Sequence, residues 1–311
     1  MPYDQLCRRP TPLYEAGEAK SIVRLLMKEL FDFSLTDLCC GAVERLSAAQ
    51  LQRLHGAHQR LLDAEPIQYV LGNATFCDRS FKVNPSVLIP RPETEELCQW
   101  VIEEEKKNRQ TLSSSPQLLD LCTGSGCIAI TLALELPDYE VTAWDVSLPA
   151  PNTAKENARQ LHAPVRFEQQ DVLKLCSAPA QWQIMVSNPP YICENERSTM
   201  APNVLRHEPE LALFVPDDDP MRFYRAISNY AQWALLPGGQ LFFEFNPLYE
   251  DFLWETLAGL GFSDIRLKDD SFGHTRFMTA TRQTQIRLNS FNLHRPRIRS
   301  RIPNFAVCNS T

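Results

Sequence analysis

The stretch Leu118-Leu119-Asp120-Leu121-Cys122-Thr123-Gly124-Ser125-Gly126-Cys127 constrains the fold of this chain more than any other. An apolar run suited to a buried strand ends in a turn where Gly124 and Gly126 remove side chains that would block a ligand, so that backbone can approach it closely. A regular alternation follows: helix Cys127 to Leu136, strand Glu140 to Asp145, helix Asn152 to Leu161, strand Val165 to Gln169. Strands alternating with helices predict a parallel sheet of the α/β class. Ile184 to Ser187 and Gln240 to Phe245 supply further strands, with helices over Phe223 to Leu236 and Leu248 to Leu260. Phe262 to Leu267 and His274 to Thr281, divided by a short Asp/Ser/Gly turn, end the sheet as an antiparallel hairpin.

Residues ahead of this core read differently. Ile22, Leu25, Leu26 and Leu30 fall on one helical face, and Ser47 is placed to cap a second helix that runs to Asp63 with Leu51, Leu54, Leu61 and Leu62 inward. Residues 1–65 are therefore expected to form a small helical domain. Over 66–92, Tyr69-Val70-Leu71, Phe76, Phe81, Val83 and Val87-Leu88-Ile89 favour strand, so a β-hairpin linker is expected. The main domain is placed at 93–281, opening with an amphipathic stretch from Glu93 to Lys107 and a polar loop from Gln110 to Gln117. The remainder, 282–311, carries Arg282, Arg287, Arg295, Arg297, Arg299 and Arg301 with no acidic residue and no persistent period. It is expected to be a poorly ordered tail, with nucleic-acid or ribosome contact as the alternative.

With 311 residues, 44% of them hydrophobic, the chain can bury a sizeable core, and a net charge of -7 gives phosphate backbones no general attraction. No direct nucleic-acid substrate is expected. The ten cysteines contain no C-x-x-C pair, which favours reduced thiols in a cytoplasmic protein over a zinc or redox motif. No apolar run approaches the roughly 20 residues of a membrane span. His55 and His58 have a metal-compatible spacing without further ligands, so they read as a solvated helix face and no metal is expected. Cys39-Cys40 reads as packing, and Glu103 to Lys107 as a charged helix face. Arg91, Glu93 and Glu95 either cap a helix or close over a site.

The glycine turn, Cys122 to Gly126, points to a nucleotide-like cofactor. Asp145, at the end of the next strand, can accept hydrogen bonds from both ribose hydroxyls, and Asp171 can read an adenine amino group. Gly124-x-Gly126-x-x-Ala129 with an acid downstream also satisfies the dinucleotide pattern, so the turn alone does not choose between nicotinamide and sulfonium cofactors.

Val186-Ser187-Asn188-Pro189-Pro190-Tyr191-Ile192 makes the choice. It follows a strand at the carboxyl edge of the sheet, where α/β proteins place ligands. Two prolines fix φ and withhold N–H donors, leaving a stiff loop that presents carbonyl oxygens to an amino-group substrate. An amide nitrogen is a poor nucleophile because its lone pair is delocalised. Accepting both of its N–H bonds, on the Asn188 side-chain oxygen and the Pro189 carbonyl, positions it and stabilises charge as it develops. Tyr191 can pack flat against the planar group. A sulfonium electrophile needs no strong general base, and none is evident.

These residues resemble the HemK/PrmC family, the release-factor glutamine methyltransferases, over roughly Glu15 to Ala280. Asn188-Pro-Pro-Tyr191 is shared with adenine-N6 methyltransferases. Pro66-Ile-Gln-Tyr-Val-Leu-Gly72, Leu88-Ile-Pro-Arg-Pro-Glu-Thr-Glu95, His207-Glu-Pro-Glu-Leu-Ala-Leu213, Gly238-Gly239 and Phe243-Glu-Phe-Asn246 resemble the family's own segments.

The resemblance implies a class I methyltransferase fold, Rossmann-like, with a helical N-terminal domain that recognises class-1 peptide chain release factors. It implies S-adenosylmethionine as cofactor and methylation at N5 of the glutamine in a Gly-Gly-Gln loop. By family position, Cys122, Thr123, Gly124, Ser125, Gly126, Asp145, Asp171, Val172 and Asn188 contact the cofactor, and Asn188, Pro189, Pro190 and Tyr191 hold the glutamine. Cys122 stands where many members have glycine, and Val172 where some have an aromatic residue; both bear on the adenosine fit. A monomer is expected. The alternatives are an adenine-N6 nucleic-acid methyltransferase, using the same two acceptors, and a non-catalytic module that binds a release factor.

Overall fold

The computed structural model describes residues 3–10, 13–108 and 115–283. Most of the polar run after Gln110 and the arginine-rich tail from 284 onward lie outside the described residues.

Five helices come first: α1 (Tyr3–Arg8), α2 (Ala16–Phe31), α3 (Leu35–Cys39), α4 (Ala48–Leu62) and α5 (Ile67–Leu71). Helix α4 starts where Ser47 predicts, because Gln50 N–H donates to Ser47 Oγ at 3.3 Å and Ser47 N–H to Gln50 Oε1 at 2.9 Å. This reciprocal box satisfies two N–H groups that a helix start otherwise leaves unpaired. Leu6, Val23, Leu26, Met27, Leu54 and Leu61 form the shared core. Leu25 faces out instead.

The structure departs from several of these expectations. His58 is buried, and its Nε2 donates to the Leu6 carbonyl at 3.1 Å, so it ties α4 to α1; burial pushes its pKa down. Cys39 and Cys40 are exposed rather than part of the core. Tyr69-Val70-Leu71 is helical, because Ile67, Val70 and Leu71 pack on the helical core and Gly72, at φ +79°, turns the chain only afterwards. Arg60 fastens that short helix by donating to the Tyr69 and Val70 carbonyls at 2.9 and 3.1 Å while pairing with Glu65.

The hairpin of the linker is real but shorter than expected: β1 (Asn73–Phe76) pairs antiparallel with β2 (Arg79–Lys82). Helix α6 (Pro92–Asn108) follows. Its Glu103 to Lys107 stretch is not all solvated, since Glu104 is buried and held by Arg266 at 2.7 Å and Lys107 at 2.9 Å.

The remaining chain builds a seven-stranded sheet. Its elements are β3 (Gln117–Leu121), α7 (Cys127–Glu135), β4 (Glu140–Asp145), α8 (Ala150–Gln160), β5 (Val165–Gln169), β6 (Trp182–Ser187), α10 (Arg222–Ala234), β9 (Leu235–Glu244), α11 (Glu250–Gly259), β10 (Phe262–Asp269) and β11 (Thr275–Arg282). The strand order is β10-β11-β9-β6-β3-β4-β5, parallel except for β11, which is antiparallel to both of its neighbours. Three small elements between β6 and α10 had no sequence expectation: the two-residue strands β7 (Ile192–Cys193) and β8 (Phe214–Val215), which pair in parallel, and α9 (Pro202–His207).

Period-two alternation splits the strand side chains between two cores. Leu118, Val141, Ala143, Ile184 and Val186 meet α6 and α7, while Leu119, Leu121, Met185, Leu241 and Phe243 meet α10 and α11. The hairpin joins the first of these cores through Phe76 and Phe81. Asn157 of α8, fully buried, pins it further: its Oδ1 accepts from Lys82 N–H at 2.7 Å, and its Nδ2 donates to the carbonyls of Lys82 at 3.0 Å and Ser125 at 2.9 Å. This chain has the class I methyltransferase architecture, with a Rossmann-like sheet and an N-terminal helical region.

Candidate active site

The chain leaves β3 toward β4 and β5 on one side and returns through β6 on the other, so the turns after β3 and β6 open side by side at the carboxyl edge. A reversal of strand order leaves a crevice at that edge. Around the first turn Cys122, Gly124 and Gly126 all adopt left-handed backbone, with φ of +64°, +54° and +82°. Cys122 thus occupies a conformation natural to glycine, which explains why glycine suits this position.

Buried carboxylates hold the turn. Asp120 Oδ2 accepts from Thr123 Oγ1 at 2.6 Å and from Ala129 N–H at 3.2 Å, and burial raises the Asp120 pKa to about 7. Asp145 accepts from Gly124 N–H at 2.8 Å on one oxygen and from Ser147 N–H at 2.8 Å on the other. Burial raises its pKa too, against the pull of those N–H groups. Val146 N–H also bonds this carboxylate, and of its roughly four acceptor sites at least one remains for a ligand hydroxyl.

An open cleft with about 750 Å³ of free space lies over this turn. It gathers Cys122, Gly124, Asp145, Asp171, Val172, Asn188 and Pro190 of the predicted residues. Thr123, Ser125, Gly126, Pro189 and Tyr191 do not line it. Gly126 serves packing rather than ligand approach: a Cβ there would sit 3.0 Å from Ile130 Cδ1 and 3.1 Å from Ala154 Cβ. A Cβ on Gly124 would meet nothing within 4 Å, so its hydrogen keeps the cleft floor open. Asp171 caps the turn Val172–Lys174 by accepting from Leu173 N–H at 3.0 Å, and it pairs with Lys174 at 3.0 Å.

The walls of the cleft come from residues with no motif of their own. Val87 and Leu88 from the linker, Leu211 and Ala212 from the segment before β8, and Phe223 of α10 also line the cleft. Glu208 clamps two of these walls together, accepting from Ile89 N–H at 3.2 Å and pairing with Arg91 at 2.6 Å. Arg91 is therefore a brace of the cleft wall. Leu88 to Glu95 and His207 to Leu213 were visible in the sequence as distinctive segments, but nothing in their composition said that they meet. An apolar cleft with two carboxylates at hand and a backbone floor suits an adenosine moiety, whose base is planar and whose ribose offers two hydroxyl donors.

The loop after β6 is braced from below. Ser187 Oγ donates to the Leu121 carbonyl at 2.7 Å, locking it to the first turn. Asn188 Nδ2 donates to Thr94 Oγ1 at 3.1 Å, and Thr94 Oγ1 donates to Glu244 Oε2 at 2.8 Å. Tyr191 OH donates to the other oxygen of Glu244 at 3.3 Å. Burial pushes the Tyr191 pKa well up, helped by the Glu244 charge, so the phenol stays protonated. Thr94 and Glu244 lie inside two of the distinctive segments, Leu88 to Glu95 and Phe243 to Asn246, but nothing in those segments alone gives either a role.

Two family models match the chain: the PrmC N-terminal domain over residues 13–72 and the Methyltransferase small domain over 106–211. The release factor glutamine methyltransferase of Bacteroides thetaiotaomicron is 42% identical over 271 residues, covering 87% of this chain and 95% of that one. Its counterpart in Flavobacterium psychrophilum is 38% identical, covering 86% and 93%. Among solved structures, the release-factor-specific protein-(glutamine-N5) methyltransferase of Alicyclobacillus acidocaldarius is 28% identical with a TM-score of 0.39, covering 65% of this chain and 99% of that one. With the turn after β3, the Asn188 loop and this similarity over most of its length, the chain belongs to the release factor glutamine methyltransferases, whose methyl donor is S-adenosylmethionine.

Proposed function

We propose that this chain methylates N5 of the glutamine side-chain amide in the Gly-Gly-Gln loop of a class-1 peptide chain release factor. One observation carries the chemistry: Asn188 spends its NH2 on Thr94, which leaves Oδ1 unmatched by any donor among the described residues, at the edge of the cleft. An acceptor in that place suits a substrate that arrives with N–H groups.

S-adenosylmethionine, when bound, supplies a methyl carbon made electrophilic by the adjacent sulfonium. Gly124 and Asp145 would hold its polar portion, and Val172, Leu211 and Phe223 would enclose the base. Asn188 Oδ1 and the Pro189 carbonyl accept from the two substrate N–H bonds, fix the plane of the amide and stabilise positive charge on its nitrogen. Tyr191 packs beside that plane. No residue has to remove a proton before transfer, which fits a site without a basic side chain on the loop. The helices α1 to α5 serve recognition of the release factor.

The test is transfer of labelled methyl from S-adenosylmethionine to a class-1 release factor, beside its Gln→Ala form and with Asn188→Ala enzyme. Label confined to the wild-type pair supports the reading. An unlabelled release factor, with Asn188-dependent label on DNA or RNA adenine, overturns it.

A further inference from the structure

An asparagine amide has two ends of nearly equal shape. Rotating Asn188 by half a turn would swap its acceptor for a donor and point N–H at the N–H of an incoming amide. Something must choose, and the only partner of the amide among the described residues is the hydroxyl of Thr94. A hydroxyl has one proton. Thr94 gives that proton to Glu244, so toward Asn188 it can only accept.

We propose that Glu244, acting through Thr94, is the positioning residue that fixes the amide orientation of Asn188 so that oxygen faces the substrate nitrogen. The inference rests on the glutamine-amide reading for its substrate but on the hydrogen-bond chain for its logic. Glu244 ends β9 with only 1% of its surface exposed, and both of its oxygens accept, from Thr94 and from Tyr191. An ionised carboxylate has no proton to return, so the polarity of the chain runs one way. A protonated Glu244 can donate to Thr94, which frees the Thr94 proton to turn toward Asn188 and reverse the amide.

The charge state is therefore part of the device. Burial raises the Glu244 pKa to about 7, opposed by the Thr94 hydroxyl, the Arg276 cation and the Tyr191 phenol, and reinforced by Glu93. Those groups come from α6, from β11 and from the Asn188 loop; Cys98 of α6 and Tyr224 of α10 also face it, both with pKa values driven up by burial and so neutral. The oriented form is the ionised one, so it gains population as pH rises through about 7.

The full-length chain tests this with Thr94→Val, which keeps shape and removes the hydroxyl, Thr94→Ser, which restores it, and Glu244→Gln. Three readouts are taken: kcat for release-factor methylation against pH, cofactor Kd by calorimetry, and the Asn188 side-chain amide signal in protein labelled with 15N-asparagine, assigned by its loss in Asn188→Ala. Thr94→Val should lower kcat on the order of 100-fold, as misplaced reacting groups do, with cofactor Kd unmoved. Thr94→Ser should recover most of the loss. The Asn188 signal should titrate with a midpoint near 7 in the wild type and not in Thr94→Val or Glu244→Gln. Wild-type kcat in Thr94→Val, or an Asn188 signal indifferent to both substitutions, overturns the proposal. If the wild type leaves the release factor unlabelled, the substrate reading fails by itself, and the amide signal still decides the orientation.

Discussion

Gly124 and Asp145, 21 residues apart in sequence, are joined by a hydrogen bond of 2.8 Å from the glycine N–H to Oδ2 of the carboxylate. The group expected to bind a ribose is thus the group that shapes the turn beneath it. Asp145→Ala should raise the Kd for S-adenosylmethionine roughly 10- to 100-fold, the worth of one or two hydrogen bonds to a charged acceptor. Calorimetry with S-adenosylhomocysteine measures it, and an unchanged Kd would place the ribose elsewhere.

Gly126→Ala should act on stability. A methyl group there presses on Ile130 and Ala154 between α7 and α8, and the backbone at φ +82° resists any side chain. The combined cost is about 2–4 kcal/mol from overpacking and left-handed strain. Urea unfolding reads it directly; the folded fraction should bind cofactor as the wild type does.

Cys122→Gly and Cys122→Val should part ways. Glycine relieves a left-handed residue at φ +64° but loosens the unfolded chain, so stability should change by about 1 kcal/mol or less. Valine, branched at Cβ, should cost about 2 kcal/mol or more at the same φ. Equal unfolding midpoints for the two variants would mean that the backbone strain is not felt.

Asp120 carries a pH signature. Its folded pKa, raised by burial to about 7, lies above its ordinary carboxylate value, so between the two the native state binds more protons than the unfolded state. Stability should therefore be fullest below the ordinary value, decline as pH rises, and level off above about 7. Asp120→Asn, which cannot ionise, should flatten that part of the decline in urea titrations run from pH 4 to pH 8. A parallel slope in the variant would assign the decline to other groups.

The sheet was legible because parallel strands buried on both faces read as short apolar runs, and the helices between them carry their own period. Ser47 was legible because a capping box is local in sequence. Tyr69-Val70-Leu71 misled because β-branched and aromatic residues favour strand only when no neighbouring core claims them, and here the α2 and α4 core does. His58 and Glu104 misled for a related reason: a polar residue on a helix looks solvated until its partner, the Leu6 carbonyl or Arg266, arrives from far along the chain. At the site, Asn188 and Asp145 announce themselves by motif. Thr94 and Glu244 do not, since a threonine in a charged helix start and a glutamate closing an apolar strand acquire meaning only by meeting, 150 residues apart.

Asn157 gives the two halves of the molecule a common foundation. One buried amide is bonded both to Lys82 in the hairpin that follows the helical region and to Ser125 in the turn under the cleft. Swinging the hairpin away from α8 would break both bonds to Lys82 at once, and the side chain that makes them is itself fully buried. The hairpin is thereby keyed to the floor of the cleft, so that a displacement of one is felt by the other through a single side chain.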